Sequence, residues 1–321
     1  MNYARIIAAA SAVPDRIVTN DDLAGLMETS DEWISTRTGI KRRHISTGET
    51  TSFLASQVAG KLLDQTQISP EDIELIIVAT MSPDAYTPSV AARVQASIGA
   101  RNAACFDLSA ACSGFVYALE AGEKLLTRDG ACALVIGAEV LSKLLDWSER
   151  STAVLFGDGA GGVLIKRDAP ERRFLASSLK TYGEMADSIK AGETQAGCFP
   201  KTCLTYRPFQ MDGRAVYKFA THEVPETIQT VCQKAGVKLG QVDRFLLHQA
   251  NYRIIKQVAR RLELPLAKFP VNIADYGNTS AASEAILLSE CWQKQEVQKG
   301  DLILLAGFGG GLTTAGMLVR L

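Results

Sequence analysis

The sequence predicts an α/β protein built from two similar halves, and three observations carry that reading. Short apolar runs alternate with segments of helical period, the mark of strands layered against helices. The order of parts then repeats. "ELIIVATMSP" and "DLSAACSGFVYALE" precede the glycine-rich "VLFGDGAGGVLIK", and "DRFLLHQANY" and "DYGNTSAASEAILL" precede "LLAGFGGGLTTAGMLV". Finally, 321 residues with 47% hydrophobic and 21% charged side chains supply ample core. The expected halves are 1–170 and 171–321, related by a pseudo-two-fold axis that would bring equivalent loops to one central site.

Taken in order, the first strand is "RIIAAA". Thr29-Ser30-Asp31-Glu32 offers a capping box for a helix carrying Trp33 and Arg37. "TSFLASQVAGKLLDQT" has an amphipathic period. "ELIIVAT" (74–80), "AACFDL" (103–108) and "CALVIGAE" (132–139) are apolar enough for buried strands. "TAVLFG" reads as a further strand leading into a glycine turn. In the second half "RFLASSLK" (173–180), "DRFLLHQ" (243–249), "DLILLAGF" (301–308) and "AGMLVRL" read as strands, with "VYKFATHEVPETIQTVCQKAG" a helix. Residues 181–210 show no period and are expected to form a long surface connection.

Composition narrows the function. A net charge of -1 leaves no global basic field for nucleic acid. The seven cysteines (105, 112, 132, 198, 203, 232 and 291) include no CxxC pair. That argues against a disulfide framework and a zinc site, and fits a reducing compartment. No apolar run approaches the ~18 residues that span a membrane. The apolar start ends at Pro14 and reads as a strand edge rather than a secretion signal. The expected location is the cytoplasm.

Three polar loops would meet at the centre of such a molecule. Cys112 opens a helix in "DLSAACSGF", His248 ends a strand in "LLHQAN", and Asn278 precedes a helix in "YGNTSAAS". By residue type alone Cys112 is either a buried spacer or a nucleophile, because free cysteines commonly serve as packing. A helix N-terminus would favour its thiolate and depress its pKa. Histidine can pair with that thiolate, and an asparagine amide can donate to a developing oxyanion. His44 in "KRRHIS" and His222 in a charged helix read as surface residues. "GFGGGLTT" (307–314) is either a tight hairpin or a close backbone approach to a ligand. Neither glycine turn has dinucleotide or phosphate-loop spacing.

"TSDEWISTRTGI", "AACSGFVYAL", "FGDGAG", "HQANYRI", "GNTSAAS" and "GFGGGLT" follow one another along the chain. In that order they make it resemble, over essentially its whole length, the β-ketoacyl-acyl-carrier-protein synthase III family of thiolase-superfamily condensing enzymes. The resemblance implies a thiolase-like five-layered α-β-α-β-α fold and a homodimer. It implies decarboxylative condensation of a short acyl-CoA with malonyl-acyl-carrier protein, initiating type II fatty-acid synthesis, with no metal or redox cofactor. Cys112, His248 and Asn278 match its catalytic triad, and the N–H groups of Cys112 and Gly310 its oxyanion donors. For CoA and substrate it implies Thr29, Trp33, Arg37 and Arg150, with Met211, Gly213, Tyr217, Ala250, Asn251 and Ile254 along the tunnel. Trp33 and Arg150 would sandwich the adenine. Tyr217 replaces a phenylalanine of the family. Thr87, Phe156 and Phe308 match acyl-pocket positions, Thr87 across the dimer. Elongating synthases carry a second active-site histidine where this chain has Asn278. Biosynthetic thiolases carry a second cysteine near the last glycine turn. Neither pattern occurs here.

A local basic face completes the reading. Arg253, Lys256 and Arg260 recur at i, i+3 and i+7, so they share an arc of one helix. Arg261 flanks them, and Arg214 and Lys218 form an i, i+4 pair on the preceding helix. Such a run is commonly just a solvated face. Beginning five residues after His248, it also fits a dock for an acidic carrier protein at the tunnel mouth.

Overall fold

The structure is a computed structural model that describes residues 2–193, 200 and 207–321. Two sheets organise it. The first contains β1 (Tyr3–Ala12), β2 (Ile73–Ala79), β3 (Ala104–Leu108), β4 (Cys132–Glu139) and β5 (Gly159–Ala169), in the order β1-β5-β4-β2-β3. The second contains β6 (Phe174–Thr181), β7 (Arg244–Leu247), β8 (Leu302–Gly309) and β9 (Thr313–Arg320), in the order β7-β8-β9-β6. In both, two antiparallel pairings are followed by a parallel one: β1-β5-β4-β2 in the first sheet and β6-β9-β8-β7 in the second. The repeat read from the sequence is therefore a repeat of topology. Only β3 lacks a counterpart among the described residues of the second sheet.

Seven helices of eight or more residues accompany them among the described residues: α1 (Asp31–Thr38), α2 (Thr51–Thr66), α3 (Val90–Ile98), α4 (Gly114–Leu125), α5 (Gly213–Ala235), α6 (Tyr252–Arg261) and α7 (Ser283–Gln293). Leu54, Ala55, Val58, Ala59, Leu62 and Leu63 put the apolar stripe of α2 on the first sheet beside α3. On the far side, α5 and α6 cover the second sheet. Between the sheets lie α4 and α7, their apolar residues merged with both inner faces in one core. Helices, sheet, helices, sheet, helices make five layers, the thiolase-like arrangement expected. Sandwiching explains why every residue of β4 is buried and why its sequence runs apolar instead of alternating.

Several local expectations are corrected. "TAVLFG" is not a strand: Arg150–Ala153 form a helical turn, and Phe156 makes only an isolated bridge to Asn278. Its polar backbone is turned toward the second half, with Asn278 N–H donating to Leu155 O and Gly157 N–H to Asn278 O. Hence "VLFGDGAGGVLIK" contributes one strand, whereas "LLAGFGGGLTTAGMLV" is the hairpin β8–β9. Ser30 alone caps α1 by accepting from Trp33 N–H, without a reciprocal side chain from Glu32. In the 181–210 segment, part of which lies outside the described residues along with Cys198 and Cys203, Ile189–Lys190 pairs with Gln210–Met211. Among the described residues of the segment, Tyr182, Met185, Ile189 and Phe209 pack inward rather than running over the surface. Arg43, in the basic stretch "KRRHIS", is fully buried and donates to Asn20 Oδ1 and Val154 O, both at 2.8 Å. His44 is half-buried, stacked on Tyr276, with Nδ1 2.6 Å from Pro14 O. His222 is exposed, as read.

Candidate active site

Matched turns build the centre. After β3 the chain makes a 3-10 turn, Ala111–Ser113, into α4, and Ala111 adopts φ +47°. At the equivalent point of the second half, Ser280–Ala282 turn into α7 and Ser280 adopts φ +48°. Left-handed conformations at non-glycine residues cost on the order of 1–3 kcal/mol and persist where the surroundings enforce them. Here the enforcement is close packing. A Cβ on Gly137 would strike Ala281 O, so this turn sits directly on β4. A Cβ on Gly309 would lie 2.5 Å from Cys112 N, so only glycine lets the end of β8 approach the Cys112 turn. His248 follows β7, its N–H donating to Ala306 O at 2.9 Å.

A cavity of about 220 Å³ joins these pieces. Cys112, His248, Asn278, Phe156, Phe308, Gly309 and Gly310 line it, as do the predicted tunnel residues Met211, Gly213, Tyr217, Ala250, Asn251 and Ile254. Met81, Ile189 and Phe209 also line it and were not anticipated. A larger cleft of about 940 Å³, bounded by Arg16, Asp22, Glu49 and Trp147, contains none of Cys112, His248 and Asn278.

The electrostatics differ from expectation. Burial pushes the Cys112 thiol up to about 12, and the Glu139 and Glu284 carboxyls add to the rise; a hydrogen bond to Ser280 opposes it. The expected depression of this thiol is thus corrected, because in the closed cavity desolvation outweighs the start of α4. Nor does the thiol pair with histidine. Cys112 Sγ donates to Ser280 Oγ at 3.4 Å, while both ring nitrogens of His248 lack a hydrogen-bond partner. Burial lowers His248 to about 3, so the imidazole is neutral, and its ring packs edge-on against Phe308 with centroids 5.3 Å apart. Asn278 Oδ1 accepts from Ser280 N–H at 2.8 Å, which turns its Nδ2 donor away from that contact. A buried thiol, a neutral imidazole and an amide donor in one apolar cavity can form a thioester and stabilise a developing oxyanion.

The remaining predicted residues lie around this centre. Arg37 and Arg150 each stack on Trp33, 4.6 Å from the ring centroid, so Arg150 occupies the face that a sandwiched ring would need. The stack borders the cavity: Asn251 Nδ2 donates to Arg37 O at 3.1 Å, and Ser151 lines the cavity beside Arg150. Thr29 is half-buried and its hydroxyl has no hydrogen-bond partner. Thr87 is exposed and does not line this chain's cavity. Arg214, Lys218, Arg253, Lys256, Arg260 and Arg261 are all exposed. Two of them are nonetheless tied down, Arg253 to Thr36 O (2.8 Å) and Arg261 to Thr221 O (2.9 Å).

Sequence reasoning missed Ser280, Glu139 and Glu284. Ser280 lies inside the quoted "GNTSAAS", and a signal for the other two exists in the sequence. Glu139 ends an apolar strand and Glu284 interrupts an apolar helix, positions at which a carboxyl is costly unless it is used.

Comparison with known proteins agrees with this geometry. Residues 106–183 match the family model "3-Oxoacyl-[acyl-carrier-protein (ACP)] synthase III", and residues 232–321 match the model of its C-terminal part. The chain is 64% identical over 321 residues to a beta-ketoacyl-[acyl-carrier-protein] synthase III of Lactobacillus delbrueckii subsp. bulgaricus, covering all of both chains. It is 52% identical to that of Limosilactobacillus reuteri, again with full coverage of both. The crystal structure of 3-oxoacyl-[acyl-carrier-protein] synthase III from Aquifex aeolicus superimposes with a TM-score of 0.92 at 41% identity, covering 99% of this chain and 100% of that one. With a buried cysteine, histidine and asparagine converging in a thiolase fold, the chain belongs to the 3-oxoacyl-[acyl-carrier-protein] synthase III family of condensing acyltransferases.

Proposed function

We propose that the chain condenses a short acyl-CoA with malonyl-acyl-carrier protein, giving 3-oxoacyl-acyl-carrier protein, CoA and CO2. The observation that carries this reading is the single cavity lined by Cys112, His248 and Asn278 with the backbone of Gly309 and Gly310. Cys112 attacks the acyl thioester and CoA leaves. The N–H groups of Cys112 and Gly310 hold the tetrahedral oxyanion, each such donor lowering the barrier by roughly 3 kcal/mol. Malonyl-carrier then enters, and loss of CO2 develops negative charge on its thioester oxygen. The His248 imidazole and Asn278 Nδ2 donate to that oxygen, and the carbanion attacks the acyl group on Cys112.

Acyl-CoA is consumed as a substrate, and no metal or redox cofactor enters these steps. Trp33, Arg37 and Arg150 receive the nucleotide end of CoA once Arg150 swings off the indole, with Thr29 beside them. Tyr217, Met211, Gly213, Ala250, Asn251 and Ile254 flank the arm, and Phe156 and Phe308 the acyl group. The catalytic halves are 1–170, which brings the nucleophile, and 171–321, which brings His248 and Asn278. A homodimer through the free edge of β3, with Thr87 reaching the partner's acyl pocket, is supported by that strand's pairing on one side only. Among the described residues no helix is long and apolar enough to cross a membrane, and we place the enzyme in the cytoplasm.

Acetyl-CoA labelling tests the reading. Peptide mapping is expected to find the acetyl group on Cys112. Acetylation of Cys105 or Cys132 instead would overturn the assignment.

A further inference from the structure

A buried thiol that becomes a thioester must lose its proton, and the residue that takes it is not given by the triad. We propose that Ser280 and Glu139 carry it: as Cys112 Sγ attacks, its proton passes to Ser280 Oγ and the Ser280 proton passes to Glu139. This rests on the acyl-transfer reading above and adds the path of the proton.

Geometry carries the inference. Among the described residues, the partner of the thiol is Ser280 Oγ, 3.4 Å away and fully buried. The Ser280–Ala282 turn packs on β4, and the same hydroxyl acts on the Glu139 carboxyl, opposing the rise that burial imposes; that carboxyl is itself completely buried at the end of β4. Thr80 Oγ1 and Met81 N–H donate to that carboxyl at 3.2 Å, and the Ser82 hydroxyl donates as well. These three donors anchor it.

The alternatives are poorer. His248 makes no hydrogen bond to the thiol, and as a base held near 3 it gains little by taking a proton. Glu284, fully buried, is pushed well above the ordinary carboxylate range; it faces Gly307 and no hydrogen bond joins it to the thiol. Glu139, raised by burial to about 7, is partly ionised at neutral pH and so can accept. The other charged group bearing on Glu139 is Lys143, whose Nζ is 2.8 Å from Ser82 O.

The step balances. The S–H bond of Cys112 and the acyl–sulfur bond of the acyl-CoA break, and a new acyl–sulfur bond forms. CoA leaves as thiolate and takes a proton from solvent. Glu139 keeps the thiol proton while the acyl-enzyme lives and returns it through Ser280 when Cys112 departs as thiolate during condensation. Nothing is oxidised or reduced.

Ser280→Ala and Glu139→Gln test this, with rapid-quench measurement of acetyl transfer from acetyl-CoA to Cys112 across pH 5–9. In the parent the rate is expected to rise through a midpoint near 7. Both variants should be about 100-fold slower, in the range of general acid–base contributions, and lose the inflection and the solvent deuterium effect. If Glu139→Gln does not fold, Ser280→Ala decides alone. Variants that keep the parent rate and inflection would overturn the relay, most plainly if His248→Ala removes the inflection instead. A parent enzyme that never acquires acetyl would overturn the acyl-transfer reading itself.

Discussion

Asn278 illustrates how one side chain is aimed by its own neighbour. Because its Oδ1 is held by the Ser280 N–H, the amide presents Nδ2 as a donor, the polarity that a developing enolate oxygen needs. Asn278→Ala should therefore lower malonyl-carrier decarboxylation about 100-fold or more, while acetyl transfer to Cys112 survives in measurable part. Condensation by Asn278→Ala at the parent rate would remove Asn278 from the second half-reaction. Cys112, His248 and Asn278 were legible in the sequence because each ends a strand or opens a helix within a recognisable motif. Ser280 and Glu139 were not, since their meaning arises only when a turn of the second half is pressed onto the end of β4. The same compression reverses the expected thiol shift: a helix N-terminus can be read from sequence, but the completeness of burial cannot.

Helices α1 and α6 meet at the mouth of the cavity, and their junction changes how the basic face should be tested. Gly39, at φ +84°, ends α1 with its Cα so close to Tyr252 that an added Cβ would lie 2.7 Å from the tyrosine Cβ. Arg253 bonds Thr36 O at the end of α1, so altering it would also disturb the helix that carries Trp33 and Arg37. Lys256, its Nζ 5.5 Å from the centroid of the Tyr252 ring, and Arg260 are exposed on the same arc and bond nothing on α1, so they make cleaner probes. Lys256→Glu with Arg260→Glu should raise the KM for malonyl-acyl-carrier protein roughly 3- to 10-fold, on the order of 1 kcal/mol for rim charges. The effect should fade with salt, and acetyl transfer should hardly change. Equal damage to both half-reactions would show that this face serves the site and not the carrier. Helix periods, as in α2, were read to the residue because one face is apolar throughout. "TAVLFG" was misread because apolar, β-branched residues there are buried by a loop between the halves rather than by a sheet.

For the whole molecule, five layers bury titratable groups that a smaller protein would leave wet, and stability should record it. Glu139 is raised from 4.5 to about 7, so the folded chain holds a proton that the unfolded chain releases above about 4.5. That stabilisation is complete below pH 4.5 and is lost as pH rises through 7, amounting to about 3 kcal/mol at ~1.4 kcal/mol per pH unit. The unfolding free energy of the parent, minus that of Glu139→Gln, should fall by this order between pH 4.5 and 7.5; a difference independent of pH would contradict the shift. The duplicated plan was legible because both halves keep one order of parts, and the four strands read in the second half are the four described in its sheet; the order in which they pair was not legible, since strand pairing is a long-range property. The central claim is that one cysteine couples acyl transfer to decarboxylation. Its most direct test is to isolate the acetylated enzyme, add malonyl-acyl-carrier protein, and count CO2 against 3-oxoacyl-carrier product in a single turnover. One CO2 and one condensed product are expected for each acetyl group lost from Cys112. Release of free acetate without CO2 would mean a hydrolase, and would contradict it.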